Sequence, residues 1–166
     1  GSSVGINKAG DEEQLKEAIK IAFSHDTKVV VEAAVNGMEI ETAVLGYENP
    51  QVAVPGEIVP CNEFYDYDAK YILGTSELYI PARISEEDSQ KLRQTALKAY
   101  KVMGCGGLAR IDFFLTPEHE VILNELNTLP GFTSISMYPK LWEHSGLAYS
   151  ELLDRLITMA MERAEA

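Results

Sequence analysis

Cysteine is close to absent. The chain has 166 residues and two cysteines, Cys61 in a loop-like stretch and Cys105 between glycines, with no CxxC pair. Three histidines build no His/Cys cluster, so neither a zinc site nor a disulfide framework is expected, and a reducing, cytoplasmic setting is the default. Basic residues are scarce too: 14 Lys and Arg against 26 Asp and Glu leave a formal charge of −12. Such a surface repels nucleic-acid phosphates and anionic membranes, so neither is an expected partner, although a local basic pocket for one phosphate remains compatible. No apolar run approaches the ~18 residues of a membrane span, and nothing resembles a signal peptide.

What is present is 46% hydrophobic and 24% charged, the make-up of a soluble folded protein with a sizeable core. The length suits one ordinary domain or parts of two. No internal repeat or low-complexity segment interrupts it.

The densest chemistry lies in residues 110–131, RIDFFLTPEHEVILNELNTLPG. Residues 109–115 are apolar apart from Arg110 and Asp112, which are two apart and so share one face of a strand. Residues 121–127 are apolar apart from Asn124, Glu125 and Asn127, and the last two again share a face. A tight turn over 116–120 pairs positions whose numbers sum to about 237, setting Asp112 opposite Glu125 and Arg110 opposite Asn127. Carboxylates about 5 Å apart on a mostly apolar sheet repel unless something compensates them. A hard divalent cation would do so through carboxylate and amide oxygens. Arg110 would also do so, with the rest of the face merely wet. Both readings stand on pattern alone.

Elsewhere the pattern predicts ordinary elements. The opening GSSVGINK reads either as a small-residue cloning scar or as a Gly/Ser loop offering donors to a phosphate. A helix is predicted over 11–23, with Leu15, Ala18, Ile19, Ala22 and Phe23 on one face. Residues 28–34 are predicted as a strand buried on both faces, interrupted by Glu32. Asn36-Gly37 marks a turn. Residues 38–46 then alternate as a half-solvated strand, Glu39 and Glu41 on one face and Ile40, Thr42 and Val44 on the other. Short strands are expected at 52–54 and 57–59. Periodicity then lapses over 60–79, where Phe64, Tyr65, Tyr67, Tyr71 and Tyr79 argue for an ordered flap with Lys70 as its only cation. A long helix is predicted over 85–103, capped by Ser85 and Asp88, burying Leu92, Ala96, Ala99, Tyr100 and Met103. Residues 104–107 form a flexible link. The last helix is predicted from about 150 to 164, with Leu152, Leu153, Leu156, Ile157, Ala160 and Met161 inward.

Directly after the hairpin comes NTLPGFTSISM, residues 127–137. With FYDYDAKY at 64–71, ARIDFFL at 109–115 and the opening GSSVG, all in order along the whole chain, it closely resembles the carboxy-terminal half of D-alanine–D-alanine ligases, which are ATP-grasp enzymes. The resemblance implies an α+β fold, a mainly antiparallel sheet packed with helices. Residues 1–36 would end the central lobe, residues 37–166 would form the C-terminal domain, and the flap would lie at about 60–80. It implies ATP and two Mg2+ ions, or Mn2+ in their place, with Asp112, Glu125 and Asn127 as metal ligands and Glu125 bridging. Lys70, Glu32, Ala33, Val35 and Glu39 would hold the nucleotide, Glu39 through the ribose. Arg110 and the Gly131 N–H would stabilise the tetrahedral oxyanion. Ser136 and Met137 would bind the second substrate's carboxylate, while Tyr71 and Ser2 would position the flap.

The family's amino-terminal domain and the first part of its central domain have no counterpart among these residues. The expectation is therefore a fragment, inactive alone, whose partners are D-alanine and the missing half of the same enzyme. The intact enzyme is expected to be a homodimer serving peptidoglycan synthesis. Ligation to D-serine or D-lactate is the alternative, although DYDAKY with Tyr71 resembles the D-alanine type. A non-catalytic nucleotide- or metal-binding module follows if the truncation is natural.

Overall fold

The computed structural model describes residues 4–59 and 77–165, which fall into two compact units: residues 4–35 with Glu77, and residues 36–59 with 78–165. In the first unit, α1 (Glu12–Phe23) starts where the Asp11 carboxylate accepts the Gln14 N–H at 2.8 Å, with Glu12 and Glu13 in its first turn. Leu15, Ala18, Ile19 and Ala22 are half-buried, but Phe23 is exposed. The strand expected over 28–34 is not formed, and Val30 and Val31 are 74% and 62% exposed rather than buried. Apolar composition sets only a propensity, and a strand also needs a neighbour to pair with. Among the described residues no segment pairs with this one.

The second unit is built on a sheet of β1 (Met38–Gly46), β2 (Gln51–Val52), β3 (Gly56–Val59), β4 (Glu77–Tyr79), β5 (Gly107–Leu115) and β6 (Val121–Asn127). The strand order is β4-β3-β1-β5-β6, with β2 pairing β1. β1 is antiparallel to β2, β3 and β5, and β5 is antiparallel to β6. β4 lies inside the stretch expected to be non-periodic, because three residues are too few to show a period. Three helices complete the unit: α2 (Glu86–Val102), α3 (Met137–His144) and α4 (Tyr149–Glu165).

One sheet face carries Ile40 and Val44 of β1 and Ala109, Ile111, Phe113 and Leu115 of β5, packed on Leu92, Ala96 and Tyr100 of α2. Ser85 caps α2 by accepting the Asp88 N–H at 3.1 Å, and the Tyr100 hydroxyl donates to the Gly46 carbonyl at 2.7 Å. The opposite face is covered at one end by α3. A Cβ on Gly56 would lie 2.7 Å from a Leu141 methyl and 3.2 Å from the Met137 sulfur, so a side chain there would have to displace these two from their places against β3. The buried Tyr138 hydroxyl donates to the Val44 carbonyl at 3.0 Å.

These layers overturn three expectations. β1 is not half-solvated: it lies between β3 and β5 with helices on both faces, and residues 40–45 are all buried, Glu41 included. Met103 is exposed, because α2 ends at Val102 and Met103 is its cap. In α4 only Leu152 is fully buried, with Leu156 and Met159 half-buried, whereas Leu153, Ile157, Ala160 and Met161 face outward. The real inward stripe is thus rotated from the predicted one. The short α3 escaped prediction altogether.

The β5–β6 hairpin has the register expected at its functional end, Arg110 opposite Asn127 and Asp112 opposite Glu125. Beyond Asp112 the register slips by one residue, so that Phe113 faces Leu123 and Asn124 is the extra residue of a bulge. The slip explains how Val121 and Leu126, five residues apart, both pack on the core side. The turn is a three-residue loop: His119 N–H donates to the Thr116 carbonyl at 2.9 Å, and His119 itself sits at φ 62°. That left-handed residue is held by its ring nitrogen 2.8 Å from the buried Asp88 carboxylate and by Lys91 on its carbonyl at 2.6 Å. The Ser85 hydroxyl, and then His119, hold the Asp88 carboxyl below its usual range. The hairpin is thereby pinned to the start of α2.

Candidate active site

Three adjacent strands place a row of side chains on the face opposite α2. Glu41 of β1 lies opposite Gly56 of β3 on one side and Asp112 of β5 on the other, and Asp112 lies opposite Glu125 of β6. Cross-strand partners point to the same face, so three carboxylates stand side by side. Arg110, two residues along β5, reaches back into them. Its Nε and Nη2 donate to both Asp112 oxygens at 2.8 and 2.7 Å. Its Nη2 is 3.5 Å from Glu125, and its Nε is 3.2 Å from Glu41 Oε2. The Glu41 contact is an ion pair by distance only. The Nε hydrogen is aimed at Asp112, which leaves Glu41 Oε2 sealed from solvent without a hydrogen bond among the described residues.

One guanidinium cannot balance three carboxylates. Burial and the neighbouring Asp112 push the Glu41 carboxyl up to about 8. Burial also raises Asp112, against the pull of Arg110, and Glu125 raises it further. For Arg110, burial opposes the charge, yet the hydrogen bonds to Asp112 and the surrounding carboxylates hold the guanidinium more firmly protonated than usual. The donor chemistry, hard carboxylate oxygens with the Asn127 amide at the next position, fits a divalent cation such as Mg2+ or Mn2+. The geometry is that of a site filled by a guanidinium: among the described residues, no three acidic, His or Cys side chains are already arranged around one ion.

The chain leaves the row through Asn127, whose side-chain oxygen accepts the Leu129 N–H at 3.0 Å and so turns the backbone. Phe132 is then clamped between the Tyr138 ring at 5.5 Å and the Tyr149 ring at 6.3 Å, and the Tyr149 hydroxyl donates to its carbonyl at 3.2 Å. The clamp fixes Gly131 beside Ser136, where a Cβ would lie 2.8 Å from the Ser136 hydroxyl. Ser136 Oγ in turn accepts the Thr133 N–H at 3.0 Å. Met137 opens α3 and is buried, and its sulfur lies against Gly56, the neighbour of Glu41 in the row.

The structure thus brings together Arg110, Asp112, Glu125 and Asn127, with Glu39 two residues from Glu41 on the same face. It sets Gly131, Ser136 and Met137 in one short loop and helix start. Glu32, Ala33 and Val35 belong to the other unit, in a stretch that is neither helix nor strand. Ser2, Lys70, Tyr71 and the rest of residues 60–76 lie outside the described residues. Sequence reasoning missed Glu41 as a site residue and Phe132, Tyr138 and Tyr149 as the loop's anchors. The alternation that placed Glu41 beside Glu39 held the only signal. Cys105 is half-buried, and burial pushes its thiol up, which weakens it as a nucleophile. A groove of about 370 Å³ between β1 and α4, lined by Asn49, Asp154 and Arg155 among others, contains no residue of the row.

The chain is similar to known proteins over most of its length. The family described as the D-ala D-ala ligase C-terminus matches residues 1–158. The D-alanine–D-alanine ligase B of Clostridium tetani is 56% identical over 162 residues, covering 97% of this chain and 45% of that protein. Ligase A of Escherichia coli K12 is 54% identical over 167 residues, covering all of this chain and 46% of its own. Among solved structures, the D-alanine–D-alanine ligase of Coxiella burnetii superposes with a TM-score of 0.87 at 41% identity, over 99% of this chain and 43% of that one. The VanG D-Ala:D-Ser ligase of Enterococcus faecalis gives 0.86 at 45% identity, over 96% and 46%. The chain therefore spans a little under half the length of these relatives. Its antiparallel sheet packed with helices is their α+β, ATP-grasp architecture. The chain belongs to the D-alanine–D-alanine ligase family, as its carboxy-terminal part.

Proposed function

We propose that the chain is the ATP-, metal- and acceptor-binding half of a cytoplasmic, homodimeric ligase that joins two D-alanines for peptidoglycan synthesis. The observation that carries this reading is the Arg110-centred carboxylate row, continued by the Gly131–Ser136–Met137 loop in a chain of this family. Residues 1–36 would end the central lobe and residues 37–166 would form the C-terminal domain, with the flap at about 60–80. The first D-alanine's carboxylate attacks the γ-phosphate of ATP, giving an acyl phosphate and ADP. The second D-alanine's amine then attacks the acyl carbon, loses a proton and expels phosphate.

The chain's own groups bind, orient and stabilise. Glu32, the 33–35 backbone (Ala33 and Val35 included) and Glu39 hold the adenine and ribose, and Lys70 holds the phosphates. Asp112, Glu125 and Asn127 hold two Mg2+ ions, which when bound neutralise the triphosphate and draw charge from the transferring phosphoryl group. Arg110 and the Gly131 N–H donate to the developing oxyanion. The Ser136 hydroxyl and the Met137 N–H, at the positive end of α3, take the acceptor's carboxylate. Tyr71 and Ser2 order the flap. On this reading the chain alone is inactive, because the donor D-alanine's wall lies in the other half.

The test is dipeptide and phosphate release by the full-length enzyme given ATP, Mg2+ and D-alanine. D-Ala-D-Ala as the main product supports the reading. The likeness to a D-Ala:D-Ser ligase supplies a second reading, in which the acceptor is D-serine. Equal concentrations of D-alanine and D-serine separate the two, because a mixed dipeptide in excess would replace the first reading by the second. An ester with D-lactate, or no product at all, would sink both.

A further inference from the structure

We propose that Glu41 is a positioning residue that anchors Arg110 when the guanidinium gives up Asp112 to a metal ion, an inference that rests on the ligase reading above. In the present arrangement Asp112 takes both well-aligned Arg110 hydrogen bonds, at 2.8 and 2.7 Å. The metal ligands of the proposed reaction are therefore the same oxygens that hold the arginine. A cation and a guanidinium cannot both occupy them, so loading the site forces Arg110 to change partners. Glu125 is claimed by the cation as well. Among the described residues, Glu41 is the one carboxylate left of those that Arg110 touches.

Glu41 is built to receive it. It stands on β1, between β3 and β5, with its side chain 10% exposed and its Oε2 3.2 Å from the Arg110 Nε. That buried oxygen has no donor among the described residues, and a small turn of the guanidinium aims the Nε–H at it. A buried carboxylate oxygen left without a donor is costly, so the exchange satisfies Glu41 at the moment Asp112 is claimed. With Nε held by Glu41, the Nη groups are released from Asp112 and remain beside the row, where a developing oxyanion needs a fixed donor. Donor placement matters at the level of ~1 Å, worth about 100-fold in rate. Glu41 does not touch substrate or metal in this scheme and acts only through Arg110.

The direct readout is hydrogen exchange of the Arg110 Nε–H, followed by 15N NMR on the 166-residue chain, with Mg2+ as the probe. Without Mg2+ the signal should be protected in wild type and in Glu41→Ala alike, because Asp112 holds it. With saturating Mg2+ it should stay protected in wild type but exchange at least about tenfold faster in Glu41→Ala. Glu41→Gln, which keeps an acceptor oxygen and the side-chain volume, should restore most of the protection, and it stands in if Glu41→Ala does not fold. Equal protection in both Mg2+-loaded proteins would overturn the proposal. So would a fall in Mn2+ affinity in Glu41→Ala, measured by water-proton relaxation, because Glu41 would then be a metal ligand. In the full-length ligase, kcat for Glu41→Ala should drop about tenfold or more while KM for ATP stays within about threefold. A wild-type enzyme that makes no dipeptide refutes the ligase reading, and the exchange measurement still decides the Arg110 anchor separately.

Discussion

Arg110→Met is the perturbation that best reveals how the row is held together. The substitution keeps much of the side-chain volume and deletes the charge. It leaves Glu41 and Asp112, whose side chains are 10% and 14% exposed, without their cation. Breaking a buried ion pair by removing one partner costs about 3–5 kcal/mol. Glu125 adds little, because its side chain is 47% exposed and its contact is 3.5 Å, so solvent screens it. Urea unfolding near neutral pH in EDTA, followed by the single and nearly buried Trp142, would report the loss. With m of about 1–3 kcal/mol per molar urea, the midpoint should fall by about 1–3 M. Excess Mg2+ should return part of the difference by supplying the missing positive charge. The pH dependence has a definite sign. Glu41 and Asp112 are already raised, and losing Arg110 raises them further. The penalty is therefore full only above the raised folded values, above about 8 for Glu41, is already partly relieved at neutral pH as Glu41 takes up a proton, and shrinks further on the way down to the ordinary Glu value of 4.5. A variant within about 0.5 kcal/mol of wild type in EDTA would show that the row is solvated and screened, and would refute the account of its electrostatics.

Other substitutions test neighbouring parts. The buried Glu57 accepts Arg83 Nε and Nη2 at 2.9 and 2.7 Å, and those hydrogen bonds hold its carboxyl below the usual range. Its stabilisation is present above the ordinary 4.5 and lost as pH falls through the lower folded value, so the deficit of Glu57→Gln, about 2 kcal/mol near neutrality, should fade in acid unfolding curves. Gly131→Ala would push a methyl to 2.8 Å from the Ser136 hydroxyl in an exposed loop, so dipeptide synthesis by the full-length enzyme should fall about tenfold or more with Tm nearly unchanged. Tyr138→Phe removes the buried hydroxyl's hydrogen bond to the Val44 carbonyl, now 3.0 Å, and should cost about 1 kcal/mol in urea unfolding.

The sequence was most legible where geometry is local. The hairpin register at Asp112 and Glu125 follows from turn length and strand parity, and α1 and α2 follow from their caps and periodic faces. The bulge at Asn124 was not legible, because one extra residue leaves the composition of a strand unchanged. Helix α3 is eight residues long, carries Pro139 and starts from a polar loop, so no period develops. The larger misses concern burial, which is settled by neighbours. Glu41 and Glu39 alternate like a wet strand face, yet β3, β5 and α3 enclose Glu41. Residues 28–34 are apolar like a core strand, yet Val30 and Val31 are exposed. The outward stripe of α4 is as apolar as its inner one, and only packing tells them apart. Roles for Ser2, Lys70 and Tyr71 came from resemblance alone.

The central claim is that Asp112 and Glu125 hold a divalent cation where Arg110 now sits. Mn2+ titration of the chain, read as water-proton relaxation enhancement, tests it with wild type beside Glu125→Gln. The account predicts saturable Mn2+ binding to wild type, displaced by Mg2+, and at least about tenfold weaker binding to Glu125→Gln with the fold retained. Equal Mn2+ binding by the two proteins would contradict it.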